Sequence, residues 1–311
     1  MAVTAAMVKE LRERTGAGMT DCKNALVEAD GDFDRAIDIL REKGLSAAAK
    51  KAGRIASEGV VTALITPDNG VGVIVEVNSE TDFVAKNQEF QNFVADVLAQ
   101  AAASDAKSMD EFHVEKWIAD PSVTVKEALT HKISVIGEKL DIRRFDKFVR
   151  TGNGALVSYI HGGGRVAVLL EMRSEVVNDA LVEAGKNVCM QIAAMSPQFV
   201  HRNEIPEEFL AKEKEILTQQ ALNEDNPKPR NIIEKMIAGR LEKNLRELCL
   251  LDQEYVRDSE LTVGKYLEGI GKEIGSAITV TRFMRYETGE GLEKKANNFA
   301  EEVSRQLDTR N

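Results

Sequence analysis

The stretch 59–80, GVVTALITPDNGVGVIVEVNSE, returns 95 residues further on as 154–175, GALVSYIHGGGRVAVLLEMRSE. In this register Gly59, Val71, Val73, Glu76, Ser79 and Glu80 meet identical residues at Gly154, Val166, Val168, Glu171, Ser174 and Glu175, where chance supplies about one or two matches. Both copies consist of a β-rich run, a short loop of turn-forming residues and a second β-rich run, the pattern of a hairpin. A long amphipathic helix is predicted after each. In the first copy it carries Phe90, Phe93, Val94, Val97 and Leu98; in the second, Leu181, Val188 and Ile192. A third strand closes each unit, Asp141–Phe148 and Ile278–Tyr286, preceded respectively by Ile136-Gly137-Glu138-Lys139 and Ile270-Gly271-Lys272-Glu273. This order predicts an α+β fold with a duplicated core of two related subdomains, each built on an antiparallel β-sheet.

Upstream of the repeat the chain reads as helical. Met7, Val8 and Leu11 share a face before Thr15-Gly16 stops the first helix. Gly16-Ala17-Gly18 is a helix-to-helix turn rather than a nucleotide loop, because no strand precedes it. A second helix over 21–29 turns Ala25 and Leu26 inward, and Asp32 can cap a third bearing Phe33, Ala36, Ile37 and Leu40. The run AAAKKAG at 47–53 reads as a flexible or helical linker. Within the second copy a helical hairpin is inserted. One arm, 207–222, carries Phe209, Leu210, Ile216, Leu217 and Ala221; the return arm carries Ile233, Ile237, Leu241, Leu245 and Leu248, and 223–231 forms the turn. Gly289-Glu290-Gly291 precedes a last amphipathic helix with Leu292, Ala296, Phe299, Val303 and Leu307. The predicted organisation is a three-helix domain and linker (1–54), one core subdomain (55–150), a second (151–200 with 251–288), a helical-hairpin or coiled-coil insertion (201–250) and a C-terminal helix (289–311).

Composition narrows the function. A net charge of −10 disfavours a surface that tracks phosphate backbones, and 5% aromatics leave few stacking platforms, so no direct nucleic-acid contact is expected. No apolar run nears the roughly 20 residues of a membrane span, and MAVTAAMVKE at the start shows neither a signal nor a transit pattern. Cys22, Cys189 and Cys249 are far apart and odd in number, which suits reduced thiols and a cytoplasmic location. Catalytic groups are sparse. His113, His131, His161 and His201 are dispersed, no Cys or His pair has zinc-ligand spacing, and there is no Walker-type loop. His161-Gly162-Gly163-Gly164 matches an esterase oxyanion loop in letters, but the Gly-x-Ser-x-Gly elbow it requires is missing, so a hairpin tip is the reading. No catalytic residue, resident metal or cofactor is expected.

The two copies part company after their shared Ser-Glu. The first continues Thr81-Asp82-Phe83-Val84-Ala85-Lys86-Asn87; the second enters its helix through Val176-Val177-Asn178-Asp179. Thr81 or Asp82 can cap the following helix. Phe83 lies seven residues before Phe90, which puts both rings on one core face if the helix is continuous, yet Lys86 and Asn87 interrupt that face. An aromatic beside an acid at an exposed helix start suits insertion into another protein's crevice instead. Spacing alone leaves both readings open.

The segment TDFVAKN at 81–87 after a β-hairpin, together with LRERTGAGMTDCKNAL at 11–26, closely resembles the bacterial elongation factor Ts family, and the resemblance spans essentially the whole chain. Members of that family are nucleotide exchange factors of the translational GTPase elongation factor Tu. The resemblance implies a ubiquitin-associated-like N-terminal domain that docks on the partner's GTPase domain, with Arg12, Met19 and Thr20 at contact positions. It implies that Thr81, Asp82, Phe83 and Val84 enter between two partner helices and help dislodge the bound Mg²⁺, and that His161 contacts the partner beyond the first core unit. The implied activity is GDP release so that GTP can bind, with no bond made or broken by the factor. A higher-order complex with the partner stays open, as does the alternative of a helical-hairpin adaptor or chaperone-like binding protein without exchange activity.

Overall fold

A computed structural model describes residues 3–223 and 230–294. Most of the predicted hairpin turn and the final helix, with Ala296, Phe299, Val303 and Leu307, lie outside the described residues. Three helices open the chain: α1 (Ala5–Thr15), α2 (Met19–Glu28) and α3 (Phe33–Lys51). Local chemistry sets their ends. The Thr4 hydroxyl accepts from the Met7 N–H, Asp32 accepts from the Arg35 N–H, and Gly16 stops α1 in the left-handed conformation. Val8, Leu11, Cys22, Ala25, Leu26 and Ala36 form the shared core. α3 continues through the predicted linker as far as Lys51, because its alanine-rich end favours helix over loose chain.

The first copy follows as β1 (Glu58–Ile65), β2 (Val71–Ser79), α4 (Asp82–Ala85), α5 (Gln88–Ala103), α6 (Met109–Val114), β3 (Lys116–Trp117), β4 (Asp120–Thr124), α7 (Val125–Ile136) and β5 (Leu140–Val149). The second runs β6 (Gly154–His161), β7 (Val166–Arg173), α8 (Asp179–Met195), α9 (Glu207–Leu222), α10 (Arg230–Leu248), β8 (Glu254–Tyr255), β9 (Asp258–Thr262), α11 (Val263–Ile274) and β10 (Thr279–Glu287). Two three-stranded sheets result, ordered β1-β2-β5 and β10-β7-β6. The fold is α+β, as predicted. Among the described residues, 3–61, 75–145 and 287–294 group into one compact unit, and 62–74 with 146–223 and 230–286 into another.

The duplication extends further than the hairpins. A short antiparallel ribbon pairs Lys116 with Thr124 and Trp117 with Asp120; its counterpart pairs Glu254 with Thr262 and Tyr255 with Asp258. Thr124 and Thr262 then cap α7 and α11, and left-handed Gly137 and Gly275 end them. Ile136-Gly137 therefore corresponds to Ile274-Gly275, and the sequence alignment with Ile270-Gly271 was one helical turn out of register. Buried Gln100 and Gln191 accept from the Ile118 and Val256 N–H groups, tying each ribbon to the long helix of its own copy.

The cores rest on the predicted stripes. Phe90, Phe93, Val94 and Val97 of α5 are buried, and Phe93 lies 5.7 Å from the Trp117 ring. In the second unit Leu181, Val188 and Ile192 of α8 pack with Val157, Val168 and Leu170 of the sheet. α9 and α10 hold their own small core of Leu217, Ala221, Ile233 and Ile237, so the helical hairpin is present. Each copy also buries one strand glutamate against arginine. Glu76 accepts from Arg143 (3.0 Å), Arg144 (2.7 Å) and the Gly289 N–H (2.8 Å); Glu171 accepts from Arg282 (2.6 Å).

Gly59 and Gly154, at equivalent positions of β1 and β6, have φ of +127° and +152°. A Cβ would stand 2.2 Å from the Val77 carbonyl oxygen at the first and 2.0 Å from that of Met172 at the second. Gly59→Ala and Gly154→Ala are each expected to cost about 3 kcal/mol, through backbone strain and the forced separation of paired strands. A fall in the urea midpoint checks this, and an unmoved midpoint contradicts it.

Candidate partner-docking site

The β2–α5 connection is built to hold one ring away from the protein. Thr81 caps α4, its hydroxyl accepting from the Val84 N–H at 3.3 Å. Asn87 then caps α5 by accepting from the Glu89 N–H at 2.8 Å, with its own backbone extended. Two capped starts in seven residues break the helix between Phe83 and Phe90. The seven-residue spacing therefore does not place both rings on one face: Phe90 is fully buried and Phe83 is 81% exposed. Ala85 is buried beneath the turn and Val84 half-buried, so α4 is anchored on one side and presents Phe83 on the other.

Hydrogen bonds stiffen this turn from below. The Ser79 hydroxyl donates to the Thr81 carbonyl at 2.9 Å. Glu138, immediately after the glycine that ends α7, accepts from the Thr81 N–H at 3.1 Å and from its hydroxyl at 2.8 Å. Glu80 accepts from the Lys139 N–H at 2.6 Å and pairs with Arg54 at 3.2 Å. On the outer side Asp82 pairs with Lys86 at 2.7 Å. The lysine hydrogen bond holds the Asp82 carboxyl below its ordinary range, so the acid next to the ring stays ionised. The sequence does not mark Glu138, Glu80 or Arg54 as supports of this turn, because their pairings join residues far apart in the chain.

The other sequence-derived residues lie on two further surfaces. Arg12 sits in the last turn of α1 and Met19-Thr20 open α2 across the glycine turn; all three are exposed, Met19 by 46%. An exposed thioether packs adaptably against a partner. This three-helix module seats on α7 within its own unit, where a Cβ on Gly44 of α3 would meet the Ser134 side chain at 3.4 Å. His161 belongs to the other compact unit. It ends β6, paired with Val166, and Gly162, Gly163 and Gly164 turn the tip with positive φ. The exposed imidazole meets the Tyr159 hydroxyl at 3.1 Å through Nδ1. A hairpin tip is thus what the His-Gly-Gly-Gly run forms.

Among the described residues no group of three or more His, Cys, Asp or Glu side chains is arranged to hold a metal ion, and no helix is long and apolar enough to cross a membrane. What the site offers is a rigid aromatic projection with an ionised neighbour, a geometry for contact.

Comparison with known proteins places the chain among relatives of one name. The family model described as elongation factor TS matches residues 80–290. Elongation factor Ts of Clostridium novyi (strain NT) is 53% identical over 305 residues, covering 98% of this chain and 99% of that protein. The protein of the same name from Clostridioides difficile (strain 630) is 52% identical over 309 residues, with coverage of 98% and 99%. That from Clostridium perfringens (strain 13 / Type A) is 51% identical over 303 residues, with coverage of 97% and 98%. The chain belongs to the elongation factor Ts family.

Proposed function

We propose that the chain is the guanine nucleotide exchange factor of elongation factor Tu in translation elongation, acting in the cytoplasm. It binds the GDP form of that GTPase and promotes GDP release so that GTP can enter. The Thr81–Val84 turn is the working part: Phe83, with Asp82 beside it, enters between two partner helices and displaces the groups that position Mg²⁺. Arg12, Met19 and Thr20 dock on the partner's GTPase domain, and His161 touches a further domain. Family membership supports the partner; the observation that carries the mechanism is a phenylalanine 81% exposed on a braced turn, at the point where the two copies part company.

Exchange requires no nucleophile, cofactor or bond chemistry from the factor. It requires tighter binding to the nucleotide-free partner than to the nucleotide-bound one, and linkage then weakens nucleotide binding by the same factor. Each tenfold loss of affinity corresponds to about 1.4 kcal/mol of differential binding, so a thousandfold effect needs roughly 4 kcal/mol. One aromatic side chain that gains a pocket only in the distorted partner is of that order. Mg²⁺ neutralises the diphosphate, so displacing its ligands also removes that electrostatic contribution.

Phe83→Ala separates folding from function. Because the ring is solvent-exposed, the variant is expected to keep its denaturation midpoint, with stability changed by less than about 0.5 kcal/mol. Release of labelled GDP from purified elongation factor Tu is expected to slow at least about tenfold at saturating factor. Unchanged release kinetics refute the assigned role. A large loss of stability would instead mean that the ring is structural.

A further inference from the structure

We infer that Glu138 is a positioning residue for exchange: its carboxylate fixes Thr81 and thereby sets the direction in which Phe83 leaves the fold. This inference deepens the function proposed above and rests on it. Gly137 ends α7 with φ +85°, and the chain reversal brings the half-buried Glu138 side chain to the end of β2. Both carboxylate oxygens are used on one residue, Oε2 accepting from the Thr81 N–H (3.1 Å) and Oε1 from its hydroxyl (2.8 Å). The hydroxyl has then donated its proton to Glu138, which leaves its lone pairs facing the Val84 N–H that it caps. Acceptance by an ionised carboxylate is stronger and more directional than a neutral cap alone. Because Thr81 is the residue on which α4 starts, its orientation fixes the helical turn, and Phe83 follows two residues later.

The second copy is an internal control. Ser276, which follows Gly275 at the end of α11, takes the place of Glu138. Its hydroxyl accepts from the Glu175 N–H and from the Ser174 hydroxyl, both at 3.0 Å, so it closes the same junction one residue earlier. No separate helical turn follows there; Asn178 caps α8 directly. A serine is thus sufficient to join strand, helix end and turn. The longer acid occurs in the copy that carries the exposed aromatic, reaching the residue that steers it.

The test uses the full chain and compares Glu138→Gln, Glu138→Ser and Phe83→Ala by release of labelled GDP from elongation factor Tu across a range of factor concentrations. Amide hydrogen exchange and the thermal transition are measured in parallel. Glu138→Gln decides the matter, since it keeps shape and volume while replacing one acceptor oxygen by a donor. The maximal release rate is expected to fall about fivefold in Glu138→Gln and further in Glu138→Ser. The half-saturating concentration is expected to change by less than about twofold, because the other docking surfaces are intact. Amides of Phe83 and Val84 are expected to exchange faster while the thermal transition stays in place. An unchanged maximal rate in Glu138→Gln overturns the inference, as does a lowered thermal transition with the rate per folded molecule preserved. If Phe83→Ala is also silent, the exchange reading itself falls. If Phe83→Ala slows release and the Glu138 variants do not, only the positioning role falls.

Discussion

A phenyl ring held in water is the constraint on which the β2–α5 junction of this fold depends. An exposed aromatic gains nothing from its own protein's core, and on a loose loop it would fold back onto the nearest apolar surface. Here collapse is opposed by geometry. Thr81 and Asn87 each start a helix, the break between them falls after Ala85, and the buried alanine seats the turn while leaving Phe83 outside. The Glu138 and Glu80 hydrogen bonds then tie the turn's base to the α7–β5 connection. Stability that could have come from burying the ring has been replaced by polar bonds that set its direction.

That arrangement is a departure from a shared plan. The two copies keep the strained glycine at the hairpin start, the buried strand glutamate paired with arginine, the buried glutamine that satisfies the ribbon, and the left-handed glycine that ends the second long helix. These are the features that hold strand, helix and ribbon together, so both copies need them. Besides the α9–α10 insertion and α6, the copies differ where the hairpin hands over to the helix. One copy enters α8 through a single cap; the other inserts a four-residue helical turn and exposes an aromatic. One junction thus enters its helix directly, while the other holds an aromatic in solvent.

Much of this was legible from residue pattern. The hairpins, the long helices and the closing strands announced themselves through periodicity reinforced by repetition, and residue type marked the cap at Asp32 and narrowed the other to Thr81 or Asp82. The short ribbons did not, since strands of two residues such as Lys116–Trp117 carry no period to detect. Missing them allowed the helices before the closing strands to be aligned one turn out of register. Phe83 was undecided because the seven-residue rule presumes an unbroken helix, and only the Asn87 cap reveals the break. Glu138 was illegible for a different reason. Its partner is 57 residues away, and nothing in local pattern marks a carboxylate that spans such a separation.

The footing of the α9–α10 arm has a consequence for how such proteins can diverge. Phe199 and Cys249 form an isolated bridge, the Phe199 N–H donates to Leu248, and Arg202 grips both Glu242 and Asp252. The segments that enter α9 and leave α10 are therefore joined at the base of the arm. Whole helical turns can be gained or lost at the far end at little entropic cost and without disturbing the sheet below. Reach can evolve on a separate schedule from attachment, as a boom may be lengthened on an unaltered crane.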